Sequence, residues 1–429
     1  MTYPDAIALL GSSRRFGMKL GLDPMRQLAA GLGDPQEQLR FIHLAGSNGK
    51  GSTAVFCESC LRADGHRVGL YTSPHLVSIR ERIQVNRQPI SETAFAEGMT
   101  AVRAATKGEP TFFELLTALA LCYFKREKVD WVVWETGLGG RLDATNIVRP
   151  AVSIITTIAL EHTQYLGTRL EDIAREKAGI IKPGVPVVSG VEENAARAVI
   201  VAESQRLDAP LHPVDIDVPS TNLGLRAGRQ WARLGEHEYE LGLVGGHQVR
   251  NAACAVAALR LLPDPPSPEA FARGLVTTSW PGRFQIVSES PLVVLDGAHN
   301  TEAMRTLLAT WVDFLASRGL IGARAHLLFA ALTDKDISAM AALLRSHVGR
   351  VSFARLSSDR SADPADLARH FPGIAAEVLE SLADFRPDDS RPVLATGSLF
   401  LVGEMLALRS GTENDLRLNE RLETPPVAP

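Results

Sequence analysis

The stretch "RFIHLAGSNGKGSTAVFCESCLRADG", Arg40 to Gly65, decides how this chain is read. "RFIHLAG" has the apolar run of a strand, and "STAVFCESCLRADG" reads as a helix ending at Gly65. Between them lies a loop with three glycines. The common phosphate-loop pattern is G-x-x-x-x-G-K-[ST]. Here position 44 is Leu where that pattern needs glycine, and Gly51 separates Lys50 from Ser52. The usual fingerprint fails, but the strand–loop–helix context is the one a phosphate site demands. Gly46, Gly49 and Gly51 leave backbone N–H groups free to face an anion. The helix N-terminus behind them carries about half a positive charge. Lys50 adds a full charge suited to β and γ phosphates, and Ser52 or Thr53 can add a hydroxyl.

Working outward, short apolar runs alternate with amphipathic stretches, the pattern of a mostly parallel sheet wrapped in helices. "RVGLYTS", "RIQVN", "VDWVVWETG" and "AVSIITTI" read as strands, and "FFELLTALALCYFKREK" and "EDIAREKAGII" as helices. Residues 211–244 lose this rhythm and read as short antiparallel strands, before "HQVRNAACAVAALRLL" restores helix. "SWPGRFQIV" is punctuation, and the βα rhythm starts afresh after it with "LVVLDGAHN", "AHLLFAAL", "RVSFARL" and "RPVLATGS". The expected architecture is therefore α/β throughout. A P-loop NTPase-like, mostly parallel domain (1–282) precedes a smaller Rossmann-like C-terminal domain (283–412). Residues 413–429 carry charge and proline without a core pattern and read as a disordered tail.

Composition narrows the function. The 429 residues carry 45 Lys+Arg and 49 Asp+Glu, a net charge of -4, which gives no reason to expect nucleic acid as a partner. The N-terminal "MTYPDAIALL" lacks a basic region before its apolar run and does not read as a signal peptide. No apolar stretch approaches the ~18 residues of a membrane span. With four cysteines, a reducing, cytoplasmic setting fits. Cys57 and Cys60 form a C-x-x-C, but without a second such pair they read as small apolar residues on a helix.

Ligands in open parallel sheets bind at the carboxyl ends of strands, and polar motifs fall at such ends here. "WVVWE" ends in Glu135, an acid placed to help hold Mg²⁺. "YTSPHL" offers Ser73, a hard oxygen ligand. "IALEHTQYLG" and "REKAGIIKPG" bring Glu161, His162 and Lys177. The second half adds Asp296, His299 and Asn300 in "DGAHN", and Gly397 and Ser398 in "ATGSL". Two domains offering polar strand ends imply a site in the cleft between them.

These motifs, in this order, resemble the folylpolyglutamate synthase/dihydrofolate synthase family of the Mur ligase superfamily, from about residue 3 to residue 408. The resemblance implies an ATP-dependent ligase that joins L-glutamate to a folate or dihydropteroate carboxylate through an acyl phosphate. It implies that Gly46, Ser47, Asn48, Gly49, Lys50, Gly51, Ser52 and Thr53 hold the triphosphate. Asn251 and Arg283 would contact ATP, Asp296 would lie near the ribose and His299 near the phosphates. Ser73 and Glu135 would bind one Mg²⁺ and His162 a second. Lys177 matches a lysine that family members carbamylate. Glu161 stands where the family usually has Asp. The implied assembly is a monomer. The alternative is another Mur-superfamily amino-acid ligase with a different carboxylate substrate. A GTPase reading lacks an Asn-Lys-x-Asp motif, since "TDKD" at 333–336 imitates it poorly. A peptidoglycan-type ligase would carry a further domain before the loop, which begins here at residue 46.

Overall fold

The computed structural model describes residues 1–13, 21–388 and 390–419. Among them, eight strands form the first sheet: β1 (Phe41–Ala45), β2 (Val68–Tyr71), β3 (Ile83–Val85), β4 (Gln88–Pro89), β5 (Trp131–Glu135), β6 (Val152–Ile155), β7 (Val187–Ser189) and β8 (Leu211–Pro213). Their spatial order is β4-β3-β2-β5-β1-β6-β7-β8. All neighbours from β2 to β8 run parallel, and β3 and β4 turn back antiparallel at one edge. β1 and β5 are buried along their whole length, as continuous apolar runs require when helices cover both faces. β1 lies in the middle of this order, so the phosphate-type loop leaves from the centre of the sheet.

A three-stranded antiparallel sheet follows, β9 (Ser220–Arg226), β10 (Arg229–Leu234) and β11 (His237–Leu241), in the order β11-β10-β9. The expected antiparallel stretch at 211–244 thus needs a correction at its start. β8 pairs parallel with β7 in the first sheet, and Val214–Asp217 is a helical turn.

The last sheet contains β12 (Gln285–Glu289), β13 (Leu292–Leu295), β14 (Ala325–Phe329), β15 (Val348–Phe353), β16 (Ala375–Val378) and β17 (Val393–Thr396). Its order is β12-β13-β17-β14-β15-β16, with β12 antiparallel and the others parallel. Sequence reading expected four of these strands. The two extra ones, β12 and β16, are the sheet edges, where a half-exposed strand needs no apolar run.

The C-terminal segment departs from expectation. Residues 415–419 lie against the first domain, Leu416 is fully buried, and Leu416–Asn419 forms a 3₁₀ turn. The reading of 413–429 as disordered is thereby corrected for its first part. Long-range polar contacts hold this segment, and no local periodicity announces them. Residues 420–429 lie outside the described residues. No helix among the described residues is long and apolar enough to cross a membrane.

Candidate active site

The loop after β1 is shaped by close approaches that a Cβ would forbid. Gly49 adopts φ 84, and a Cβ there would sit 2.3 Å from Asn251 Oδ1. At Gly46 it would sit 1.9 Å from Thr156 Oγ1. The helix Lys50–Ala63 begins at once, so the loop's N–H groups and the helix terminus coincide. The neighbouring strand β6 anchors the loop from below. Ser47 N–H donates to Thr157 O (2.8 Å), and Thr156 Oγ1 donates to Asn48 O (2.7 Å). Thr156 and Thr157 were missed in the sequence. Their signal was a pair of hydroxyls at the carboxyl end of the strand beside the loop.

Lys50 Nζ donates to Gly46 O (2.8 Å) and Ser47 O (3.2 Å), so its charge sits over the loop. Lys177 meets the same carbonyl from the other side. Its Nζ donates to Gly46 O and to Glu161 Oε1, both at 2.8 Å. Lys177 is 1% exposed. Burial, with Lys50 nearby, pushes its ammonium down to about 8, against the pull of Glu161. Burial alone would raise the Glu161 carboxyl, but Lys177 and Lys50 together hold it below the usual range. Glu161, left unassigned by sequence, is thus the ion-pair partner of Lys177. His162 is exposed at the N-terminus of the short helix Thr163–Leu166, with φ 47.

Glu135 is buried at the end of β5, and its Oε2 accepts from Ser73 N–H (3.0 Å). Parallel pairing of β2 with β5 makes this contact, since it brings both strand ends level. Burial pushes the Glu135 carboxyl up, while the charges of Lys50 and Arg283 and the Ser73 N–H restrain it. Ser73 and Glu135 supply the hard oxygen atoms that Mg²⁺ takes. The buried Thr53 hydroxyl, in the first turn of the helix, has no hydrogen-bond partner among the described residues. No group of three or more His, Cys, Asp and Glu side chains gathers among the described residues. A metal here would therefore rely on hydroxyl and phosphate oxygens besides the carboxylate.

The glycine-rich loop after β5 is braced by Asp143, which accepts from Gly137 N–H (3.0 Å), Leu138 N–H (2.9 Å) and Thr145 Oγ1 (2.5 Å). Asn146 Nδ2 donates to Gly179 O (2.9 Å), and Arg141 pairs with Glu176 (2.8 Å). These bonds tie the loop to the helix Leu170–Ala178, which carries Lys177.

The linker completes the arrangement. Trp280 packs against the helix start, its Nε1 3.0 Å from the Cβ position of Gly51. Three residues on, the Arg283 charge acts on Glu135 in the first domain and on Asp296 and His299 in the second. Asp296 holds the backbone on both sides of it, one oxygen accepting from Phe284 N–H (2.8 Å) and the other from Ala298 N–H (2.9 Å). His299 Nδ1 lies 2.8 Å from Gly297 O. A carbonyl only accepts, so Nδ1 carries the proton and the neutral ring keeps Nε2 as a base. Burial holds the imidazole below its ordinary value, which favours that neutral form.

A phosphate-type loop with two lysines, a buried acid at an adjacent strand end and an arginine from the linker define a two-domain nucleotide-dependent ligase architecture. Residues 44–259 match the Mur ligase middle domain, and residues 282–397 match the Mur ligase glutamate ligase domain. Over 94% of its length the chain is 38% identical to the dihydrofolate synthase/folylpolyglutamate synthase of Bacillus subtilis, 98% of which is covered. Escherichia coli FolC in complex with DHPP and ADP superposes with TM-score 0.84 at 33% identity, over 96% of this chain and 98% of that one. A bifunctional folylpolyglutamate synthase/dihydrofolate synthase with Mn, AMPPNP and L-glutamate bound gives TM-score 0.79 at 34% identity, over 92% and 95% of the two chains. The chain belongs to the folylpolyglutamate synthase/dihydrofolate synthase family of ATP-dependent glutamate ligases.

Proposed function

We propose that this chain activates the carboxylate of a reduced folate or of dihydropteroate with ATP, and then joins the acyl phosphate to the amine of L-glutamate. The meeting of Lys50 and Lys177 on one loop carbonyl, with the Lys50 and Arg283 charges both acting on the buried Glu135, carries this reading. Phosphoryl transfer asks for positioning and charge neutralisation more than for covalent help. Lys50 and the N–H groups of Gly46–Thr53 would hold the triphosphate, with Asn251 beside Gly49. Arg283 would bring positive charge from the linker to where negative charge spreads. His299, neutral with Nε2 as a base, is suited to take a proton from the attacking amine. Asp296 would lie near the ribose, and through its bonds to Phe284 and Ala298 it would also set the backbone beside Arg283 and His299. Ser73 and Glu135 would hold one Mg²⁺ and His162 a second. These ions would supply positive charge to the phosphate oxygens. Lys177 would work as its carbamate. The domain division at 282/283 belongs to the same reading, with a cleft between the domains that shields the acyl phosphate from water. So does a monomer in the cytoplasm, without nucleic-acid or membrane partners.

ADP release with L-glutamate plus dihydropteroate, and then plus tetrahydrofolate, tests the substrate assignment. Stimulation by either is expected, and by both if the enzyme is bifunctional. Stimulation by neither overturns the reading and favours a Mur-type ligase for another carboxylate. The loop has its own test in Gly49→Ala. Left-handed backbone costs a non-glycine residue roughly 1–2 kcal/mol, and the new Cβ would also strike Asn251. The KM for MgATP is expected to rise about tenfold, the equivalent of ~1.4 kcal/mol. An unchanged KM would remove this loop from the nucleotide site.

A further inference from the structure

After the helix Leu399–Ser410 the chain returns to the first domain and grips the turn between β2 and β3. Asp415 N–H donates to Val77 O (2.7 Å), and Asp415 Oδ2 accepts from Ile79 N–H (3.2 Å) and Ser78 Oγ (3.3 Å). His75 Nε2 lies 3.1 Å from Asp415 O. Asn419 closes the far end, with Oδ1 accepting from Arg82 Nη2 (2.7 Å) and Nδ2 donating to His75 O (2.8 Å). Arg82 Nε donates in turn to His75 Nδ1 (2.9 Å), so both ring nitrogens are used by a neutral imidazole. Leu76, on the same turn, is buried in an apolar cluster of the C-terminal domain together with Leu416.

His75 and Arg82 are buried, at 1% and 5% exposure. Without the Asn419 amide Arg82 Nη2 and His75 O would lose partners, and without the Asp415 carboxylate so would Ser78 Oγ and Ile79 N–H, and polar groups left unpaired in a buried site are costly. The segment is therefore held by specific, paired chemistry that bridges the two domains. Its target also matters. Ser73 lies two residues before His75, and its N–H meets Glu135.

We propose that residues 415–419 form a strap, in which Asp415 and Asn419 are positioning residues that hold the 73–82 turn and keep Ser73 against Glu135. This inference rests on the reading of Ser73 and Glu135 as part of the MgATP site. The strap couples the segment that follows the helix Leu399–Ser410, and with it the placement of the C-terminal domain, to one oxygen ligand of that site. A merely structural tail would affect melting alone. A positioning strap affects the turn and the nucleotide.

The test compares the full chain with the double variant Asp415→Ala/Asn419→Ala and with a chain ending at Thr412. Hydrogen exchange across 73–82 and calorimetric MgATP affinity are measured beside steady-state rates. Exchange in the turn is expected to quicken about tenfold and MgATP affinity to fall about fivefold, the scale of one or two lost hydrogen bonds. The KM for L-glutamate is expected to stay unchanged, and excess Mg²⁺ should recover part of the loss. Unchanged exchange, or faster exchange with unchanged MgATP affinity, overturns the proposal. If the truncated chain does not fold, the double variant decides. If the full chain binds MgATP but ligates neither substrate, the substrate assignment fails while exchange and calorimetry still decide the strap.

Discussion

Lys50→Ala is expected to lower kcat by roughly 10²-fold or more, the loss associated with removing one transition-state donor. The melting temperature should move little. Lys50 Nζ donates to the carbonyls of Gly46 and Ser47, and among the described residues it forms no ion pair at salt-bridge distance. The effect should fall on kcat more than on substrate binding, because developing phosphate charge needs the cation more in the transition state than in the ground state. A second consequence separates this role from simple loop damage. The Lys50 charge restrains the buried Glu135 carboxyl, which burial already pushes up. Without Lys50 that carboxyl rises further, so Glu135 is protonated at a higher pH. The acid limb of kcat/KM for MgATP, which reports the free enzyme, should therefore move to higher pH in the variant. Steady-state ADP release across pH 5.5–9 reads both effects. A near-normal rate would exclude Lys50 from phosphate handling.

The parts of the site that were legible in sequence are those made by a strand followed by its own loop. β1, the glycine loop and the helix Lys50–Ala63 are contiguous, and so are β5 and Glu135, so local pattern suffices for them. Pairing is less legible. The contact of Ser73 with Glu135, and that of Thr156 with Asn48, depend on which strands lie side by side, and the spatial order β2-β5-β1-β6 is not the order of the chain. Glu161 shows the same limit. Its family-atypical identity left its role open, and only the approach of Lys177 within 2.8 Å assigns it. β12 escaped notice because its residues are mostly half-exposed and it pairs antiparallel with β13 alone. Asp415 and Asn419 escaped because their partners lie more than 330 residues away.

The second large effect is expected at Lys177. Carbamylation requires the neutral amine as nucleophile towards CO₂. Burial and the neighbouring Lys50 bring the ammonium down to about 8, from the ordinary 10.5. The reactive form is therefore scarce well below pH 8 and grows as pH rises through it. At fixed dissolved CO₂, activity in freshly degassed enzyme should return faster at pH 8.5 than at pH 7. Lys177→Arg keeps a cation but removes this chemistry. It is expected to lower turnover by about 10²-fold, comparable to one lost electrostatic contact in the transition state, with no recovery on adding bicarbonate. Activity indifferent to CO₂, together with a functional arginine variant, would leave Lys177 as a plain ion pair. The present geometry adds a constraint on the order of events. Lys177 Nζ donates to Glu161, and a carbamate would replace that donor with an anion facing another anion. Like charges at such range cannot both persist without a cation between them. The side chain of Glu161 is 26% exposed, which leaves it room to turn away, and His162 follows it directly in the chain. CO₂ uptake and divalent-ion binding should therefore be cooperative. The CO₂ concentration giving half-maximal activity is expected to fall as Mg²⁺ is raised, and independence of the two would show that Lys177 and His162 do not share a site.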